Sequence, residues 1–174
     1  MKKILSLCIA ALLLAACSNN QKLDRETALK VIKDSKTYPK IISYNIFISD
    51  PTFANRVLDA GLEETGLVVV KRTQKLDNVG QPIISFLANA EPYLLPQTEE
   101  DKSDGIQRIK IAEEDIVEVL GIQMCEGDIK AVADVKTSFK NISPFSKLSK
   151  LELNKMNMRK VSFVLYDDGW MIEP

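Results

Sequence analysis

The chain has 174 residues, 45% of them hydrophobic, with 23 basic and 24 acidic side chains and a formal net charge of −1. That is enough for one domain or two small ones, and the near-neutral balance lacks the basic excess that nucleic-acid binding needs. With no histidine and three cysteines, the chain has no Ser-His or Cys-His catalysis, no histidine-ligated metal and no zinc site built from several cysteines.

In chain order, the first stretch is an address. Lys2 and Lys3 form a positive start, Ile4 to Leu14 an uncharged apolar run, and Ala15, Ala16 and Cys17 a small-residue close. The polar run Ser18-Asn19-Asn20-Gln21 follows. This is the layout of an export signal, and it is too short to cross a bilayer, which takes about 20 apolar residues. The pattern Leu14-Ala15-Ala16-Cys17 closely resembles the lipobox of the bacterial lipoprotein signal. That resemblance implies cleavage between Ala16 and Cys17, lipidation of Cys17 as a diacylglyceryl thioether, and usually an acylated amino terminus. One acyl chain binds a membrane only marginally, whereas two or three hold it effectively permanently. Ser18, where an aspartate would retain the protein in the inner membrane, implies the outer membrane and a body facing the periplasm. Residues 1–16 are thus the signal peptide and residues 17–23 a lipidated tether. Cys8 leaves with the signal and Cys17 carries lipid, so Cys125 is left as a lone thiol, read as a small buried or half-buried apolar residue.

Residues 24–97 read as an α/β unit. Asp24 caps a helix over Arg25 to Lys33, with Ala28, Leu29 and Ile32 on one face, and Pro39 stops it. Ile41 to Ile48 is rich in β-branched and aromatic residues and reads as a strand. Ser49 or Asp50 caps a second helix that opens at Pro51 and buries Phe53, Val57 and Leu58, with Gly61 and Gly66 as its stops. Leu67 to Gln74 and Pro82 to Ala88 read as the two arms of a hairpin around the turn Asp77-Asn78-Val79-Gly80. Helix, strand, helix and hairpin in that order resemble a winged-helix arrangement. In such a fold Lys71, Arg72 and Lys75 would be the basic contacts of the wing, and Arg56 the one cation on the reading helix, beside Asp59, Glu63 and Glu64. That balance, in an exported protein, argues for no nucleic acid as partner. The lysines and arginine of the hairpin read as solvated edge charges that discourage strand pairing.

Residues 98–105 read as an acidic linker. Their acids are oxygen donors of the kind calcium takes, but Lys102 falls where an EF-hand loop needs its second oxygen ligand. Residues 106–174 read as an antiparallel β-rich unit. Ile106 to Ile111 and Ile116 to Met124 are expected as two strands, then a turn at Glu126-Gly127-Asp128. Ile129 to Lys140 alternates, with Ile129, Ala131, Ala133, Val135, Thr137 and Phe139 on one side. Pro144 breaks the pattern, and Ser146 to Met156 reads as a loose helix or an irregular crossing carrying Lys147, Lys150 and Lys155. Lys160 to Tyr166 is the last long strand. Asp167-Asp168-Gly169 is a hairpin turn, and Trp170 packs on the sheet core. The ending Phe163 to Ile172 resembles the closing hairpin of β-rich modules in uncharacterised envelope lipoproteins, and similar endings close cystatin-like and NTF2-like cones.

The fold class expected is therefore α+β, a small winged-helix-like first half followed by an antiparallel β-rich second half. The function expected is that of a lipid-anchored envelope lipoprotein, a structural, interaction or accessory protein rather than an enzyme. Its partners are the membrane, through lipid on Cys17, and an envelope protein; no catalytic residue, cofactor or metal is expected. Two other classes remain open at this point. An apolar-ligand or lipid-binding module would show an enclosed apolar cavity. A carboxylate-based hydrolase would show converging acids with displaced pKa values.

Overall fold

The computed structural model describes residues 22–173. Cleavage between Ala16 and Cys17 and lipidation of Cys17 lie outside the described residues. The described chain is α+β. Five antiparallel strands form one curled sheet in the order β1 (Lys40–Phe47), β4 (Ile106–Cys125), β5 (Lys130–Lys140), β6 (Asn157–Tyr166), β7 (Gly169–Ile172). A separate small hairpin pairs β2 (Val68–Val70) with β3 (Ile84–Phe86).

The first helix, α1 (Arg25–Asp34), starts where the Asp24 carboxylate accepts the Thr27 backbone N–H at 2.7 Å. This satisfies one of the donors that a helix start leaves open. Ala28 and Ile32, one turn apart, are fully buried. The second helix, α2 (Pro51–Asp59), is capped in the same way by Asp50, which accepts the Thr52 N–H at 2.6 Å, with Pro51 in the first turn. It buries Ala54 and Val57, while Phe53 and Leu58 pack partly buried against the same core. Gly61 (φ 69°) and Gly66 (φ 68°) take the left-handed turns that end this region, a conformation that costs glycine little.

The arms of the small hairpin are much shorter than the expected Leu67–Gln74 and Pro82–Ala88. Beyond Val70 the run Lys71-Arg72-Thr73-Gln74-Lys75 is polar at every position and exposed. With no apolar side to bury, nothing rewards extending the ladder, and the chain takes a 3-10 turn at Leu76–Asn78 instead. The acidic stretch 98–105 contains a short helix, α3 (Glu99–Ser103), fixed by a reciprocal cap between Thr98 and Asp101. Ser146–Met156 is an irregular crossing, entered by a 3-10 turn at Pro144–Leu148 that drives Phe145 fully into the interior.

The two strands expected at 106–111 and 116–124 are one strand. Its first part pairs with β1 from Ile106 to Glu114, and its second with β5 from Glu113 to Cys125. Bulges keep its apolar residues facing inward. Ile111 is the extra residue opposite Ile42 and Ser43, so Ile111 and Ala112 are both buried although adjacent. Val117 is extra opposite Thr137 and Lys136, so Ile116 and Val119, three apart, are both buried while Val117 is exposed. An added residue resets the alternation that a flat strand would impose.

The apolar side chains gather in two cores along this strand. In one, Ile109, Ile111 and Ala112 meet Ile46, Val57, Leu62, Val68 and Phe145, with the rings of Phe86 and Tyr93 at 6.2 and 5.9 Å from that of Phe145. In the other, Ile116 and Val119 meet Leu23, Ala28, Ile32, Ala133, Phe163 and Trp170. Helix α1 touches both β4 and β7, which lie three positions apart in the sheet, so the sheet wraps around it. Because β1 pairs along β4, the strand from the first half and those of the second share one sheet, while β2 and β3 pair only with each other.

Trp170 is 7% exposed within the second core. Trp170→Ala is expected to lower folding stability by about 3–5 kcal/mol, measured by chemical denaturation. An unchanged midpoint would contradict its place in that core.

Candidate functional site

The most unusual local chemistry lies where the two cores meet. Alternation along β4 turns Glu114 inward between Ala112 and Ile116, and it is 2% exposed. A carboxylate taken out of water needs partners, and neighbouring strands supply them. Thr137 Oγ1 on β5 donates to Glu114 Oε1 at 2.6 Å. Arg159 Nε on β6 donates to the same oxygen at 3.0 Å. Asn157 stands opposite Thr137 in the β5–β6 ladder, and its Nδ2 is buried without a hydrogen-bond partner among the described residues. Tyr38, on the link from α1 to β1, completes the group: burial first, then the negative charge of Glu114, raises its hydroxyl pKa above the ordinary 10.0, against an opposing pull from Arg159.

Tyr38 also borders a solvent-open groove with Thr37, Lys160, Ser162 and Glu173. The charged groups of this groove are engaged nearby. Lys160 pairs with Asp134 at 3.2 Å, and Glu173 with Lys130 at 3.5 Å. A second groove, between Ile142, Lys147, Leu151, Leu153 and Lys155, is also open to solvent. Glu114 itself accepts from two donors through one oxygen, a contact that ties three strands together.

Elsewhere, carboxylates with displaced pKa values are displaced downward. Backbone N–H donation from Val70, then Arg72, lowers that of Glu63. Asn141, then Lys110, lowers that of Glu113. Burial works against the Asp115 carboxylate, yet Lys140 and the Ile116 N–H outweigh it. Each is held as an anion by a neighbour, contributing to stability rather than being poised to exchange protons.

The residues singled out from sequence fall as follows. Arg72 pairs with Glu63 at 2.5 Å and Lys71 Nζ donates to the Pro82 carbonyl at 3.4 Å, while Lys75 is exposed in the loop beyond. Arg56 donates to the Tyr44 hydroxyl and lies 5.1 Å over the Phe53 ring. The basic run is dispersed: Lys147 reaches the Ala60 carbonyl, Lys155 pairs with Glu152, and Arg159 turns to Glu114. Asp167 and Asp168 form the two-residue turn between Tyr166 and Gly169. Cys125 ends β4 as a half-buried free thiol. In the acidic stretch, the Thr98 N–H lowers the Asp101 pKa and Glu99 pairs with Lys102. Among the described residues no group of three or more Asp, Glu or Cys is placed to hold a metal ion, and no helix is long and apolar enough to cross a membrane.

Sequence reasoning missed the Glu114 group. Its signal was the acidic triplet Glu113-Glu114-Asp115 in the middle of an apolar β run, where alternation forces one acid inward. No family model, no curated protein and no solved structure matches the chain.

Arg159 is 49% exposed at its side chain and Glu114 only 3%, so water softens the loss of the arginine. Arg159→Met is expected to cost about 1–3 kcal/mol, less than breaking a fully buried pair, measured by urea denaturation. A stability within experimental error of the parent would show that Glu114 does not depend on Arg159.

The sign of the Tyr38 effect follows from its raised pKa. Below the unfolded value its contribution is constant. As pH rises through the folded value, the unfolded chain has already released its proton and stability is lost. Tyr38→Phe is expected to lose less stability than the parent above about pH 10. Identical alkaline slopes for the two proteins would contradict this.

Proposed function

We propose that this protein is a bacterial envelope lipoprotein, held to the membrane through lipid on Cys17 and serving as a structural or accessory interaction subunit rather than an enzyme. The carrying observation is the sequence Leu14-Ala15-Ala16-Cys17 behind Lys2, Lys3 and an uncharged apolar run. Cleavage between Ala16 and Cys17 leaves the cysteine as the first residue, free to carry the anchor. Ser18 favours the outer membrane, with the body facing the periplasm. The start of the folded body fits this reading. Leu23 is already buried and Asp24 already caps α1, so only residues 18–22 separate the anchor from the fold.

The charge arrangement supports an interaction role over acid–base chemistry. The displaced carboxylates are stabilised anions, and the inward Glu114 is tied to Thr137 and Arg159. The winged-helix likeness of residues 24–97 is one of element order. The strand pairing lends it no support, because β1 joins β4 rather than the small hairpin, and Lys71, Arg72 and Arg56 are engaged within the protein. Nucleic acid is accordingly left out of the proposed partners.

Cys17→Ser decides the anchoring. The parent is expected in the detergent phase after phase separation, with an amino-terminal mass showing residues 1–16 removed and lipid on Cys17. The variant is expected in the aqueous phase or uncleaved. Equal partitioning of the two, or a bare Cys17 in the parent, would overturn the proposal.

A further inference from the structure

Given an anchor on Cys17, we infer that the end of the sheet formed by the β4–β5 and β6–β7 turns faces the bilayer, with Ile129, Tyr166 and Met171 resting in the headgroup region of a zwitterionic membrane. The inference rests on the lipidation proposed above and adds an orientation to it.

Tether length is the first argument. From Cys17 to Lys22 the chain spans at most about 20 Å when fully extended. The point where it joins the fold therefore stays close to the membrane. That point is Leu23, and the structure places it. Leu23 is buried in the core that holds Trp170 and, at its edge, Met124 and Leu165. The other end of α1, at Asp34, leads through a short link into Lys40, which stands opposite Glu114 on β4, one residue from Asp115. The helix thus runs from the Asp115 level of β4 back toward the turns, and its first residue lies at their end.

The second argument is what this end exposes. Ile129 is 53% exposed, Tyr166 49% and Met171 43%. They are close together. The Leu165 N–H bonds to the Ile129 carbonyl at 2.8 Å, and Met171 pairs with Val164, two residues before Tyr166 and on the same side of the strand. Tyrosine with an apolar body and a polar tip suits the membrane–water boundary. Each contact is small alone, but the tether makes the encounter intramolecular and so raises its effective concentration.

Charge selects the lipid. Glu126, Asp128, Asp167 and Asp168 sit exposed on the two turns. The nearest β-strand cation, Lys130, is shared between Glu126 at 3.4 Å and Glu173 at 3.5 Å; Lys22 and Arg25 at the helix start are the other positive groups. The rim is net acidic, so a zwitterionic surface accepts it and an anionic one repels it. The opposite end of the sheet carries its own exposed apolar residues, Ile142, Leu151, Met156 and Met158. They lie near the far end of β5, a strand of 11 residues, roughly 35 Å long, and in this orientation they point away from the bilayer.

The test uses the lipoprotein purified from its own envelope, in a Cys125→Ser background. Ile129→Cys and Leu151→Cys are each labelled with a fluorophore and reconstituted into phosphatidylcholine vesicles containing a headgroup nitroxide lipid. Both positions are exposed, so folding is retained and is checked by circular dichroism. The Ile129 label is expected to be quenched at least about twofold more than the Leu151 label, with the difference shrinking when phosphatidylglycerol is added. Equal quenching, or stronger quenching at Leu151, would overturn the orientation. Intact mass of the same samples separates the two failures: a Cys17 without lipid ends the anchoring proposal and this inference together, whereas a lipidated Cys17 with the reverse quenching order ends only this one.

Discussion

One strand, β4, is shared by both cores, and the rest of the fold follows from how that sharing is achieved. Its twenty residues pair with β1 along one part and with β5 along the other. A flat strand of that length would point alternate residues to one face with no freedom to adjust. Here bulges at Ile111, Val117 and Leu120 shift the alternation three times. The strand can then present Ile109, Ile111 and Ala112 to the core under α2, and Ile116 and Val119 to the core under α1. Bulges also increase local twist, which fits a sheet that curls until both β4 and β7 reach α1.

Between those two groups the same alternation brings Glu114 inside. An unpaired carboxylate there would cost several kcal/mol. Thr137 and Arg159, one on each of the next two strands, meet it on a single oxygen. The contact therefore ties β4, β5 and β6 together across the seam between the cores. Tyr38 brings the α1–β1 link to the same place, where burial and the Glu114 charge keep its hydroxyl protonated. A buried polar contact of this kind favours one register over a slipped one, because a slip of one residue would turn Glu114 outward and bring Glu113 and Asp115 toward the core without these partners.

The surface divides along the length of the sheet. The end at the β4–β5 and β6–β7 turns combines acids with a few exposed apolar residues and lies beside the chain entry at Leu23. The other end exposes Ile142, Leu151, Met156 and Met158 beside lysines already engaged by Glu152 and the Ala60 carbonyl. Under the anchoring proposed above, that difference between the two ends gives the body a basis for orientation at a membrane.

Local rules in the sequence determined a good deal. Asp24 and Asp50 beside helical apolar spacing set both helix starts, because a cap and its N–H partners are only two or three residues apart. The alternation of β5 from Ala131 to Thr137 set its buried face, and Asp167-Asp168-Gly169 set the last turn. The proposed anchor rests on residue order alone, since Leu14-Ala15-Ala16-Cys17 lies outside the described residues. Only the tertiary structure decided that 106–111 and 116–124 are one strand, because a bulge is defined by the partner opposite it and leaves little mark on the chain itself. The partners of Glu114 were beyond reach for the same reason: Thr137 and Arg159 are distant in sequence and meet the carboxylate only once β4, β5 and β6 are side by side. The end of the hairpin strand at Val70 and the burial of Phe145 were likewise settled by which apolar surface was there to cover them.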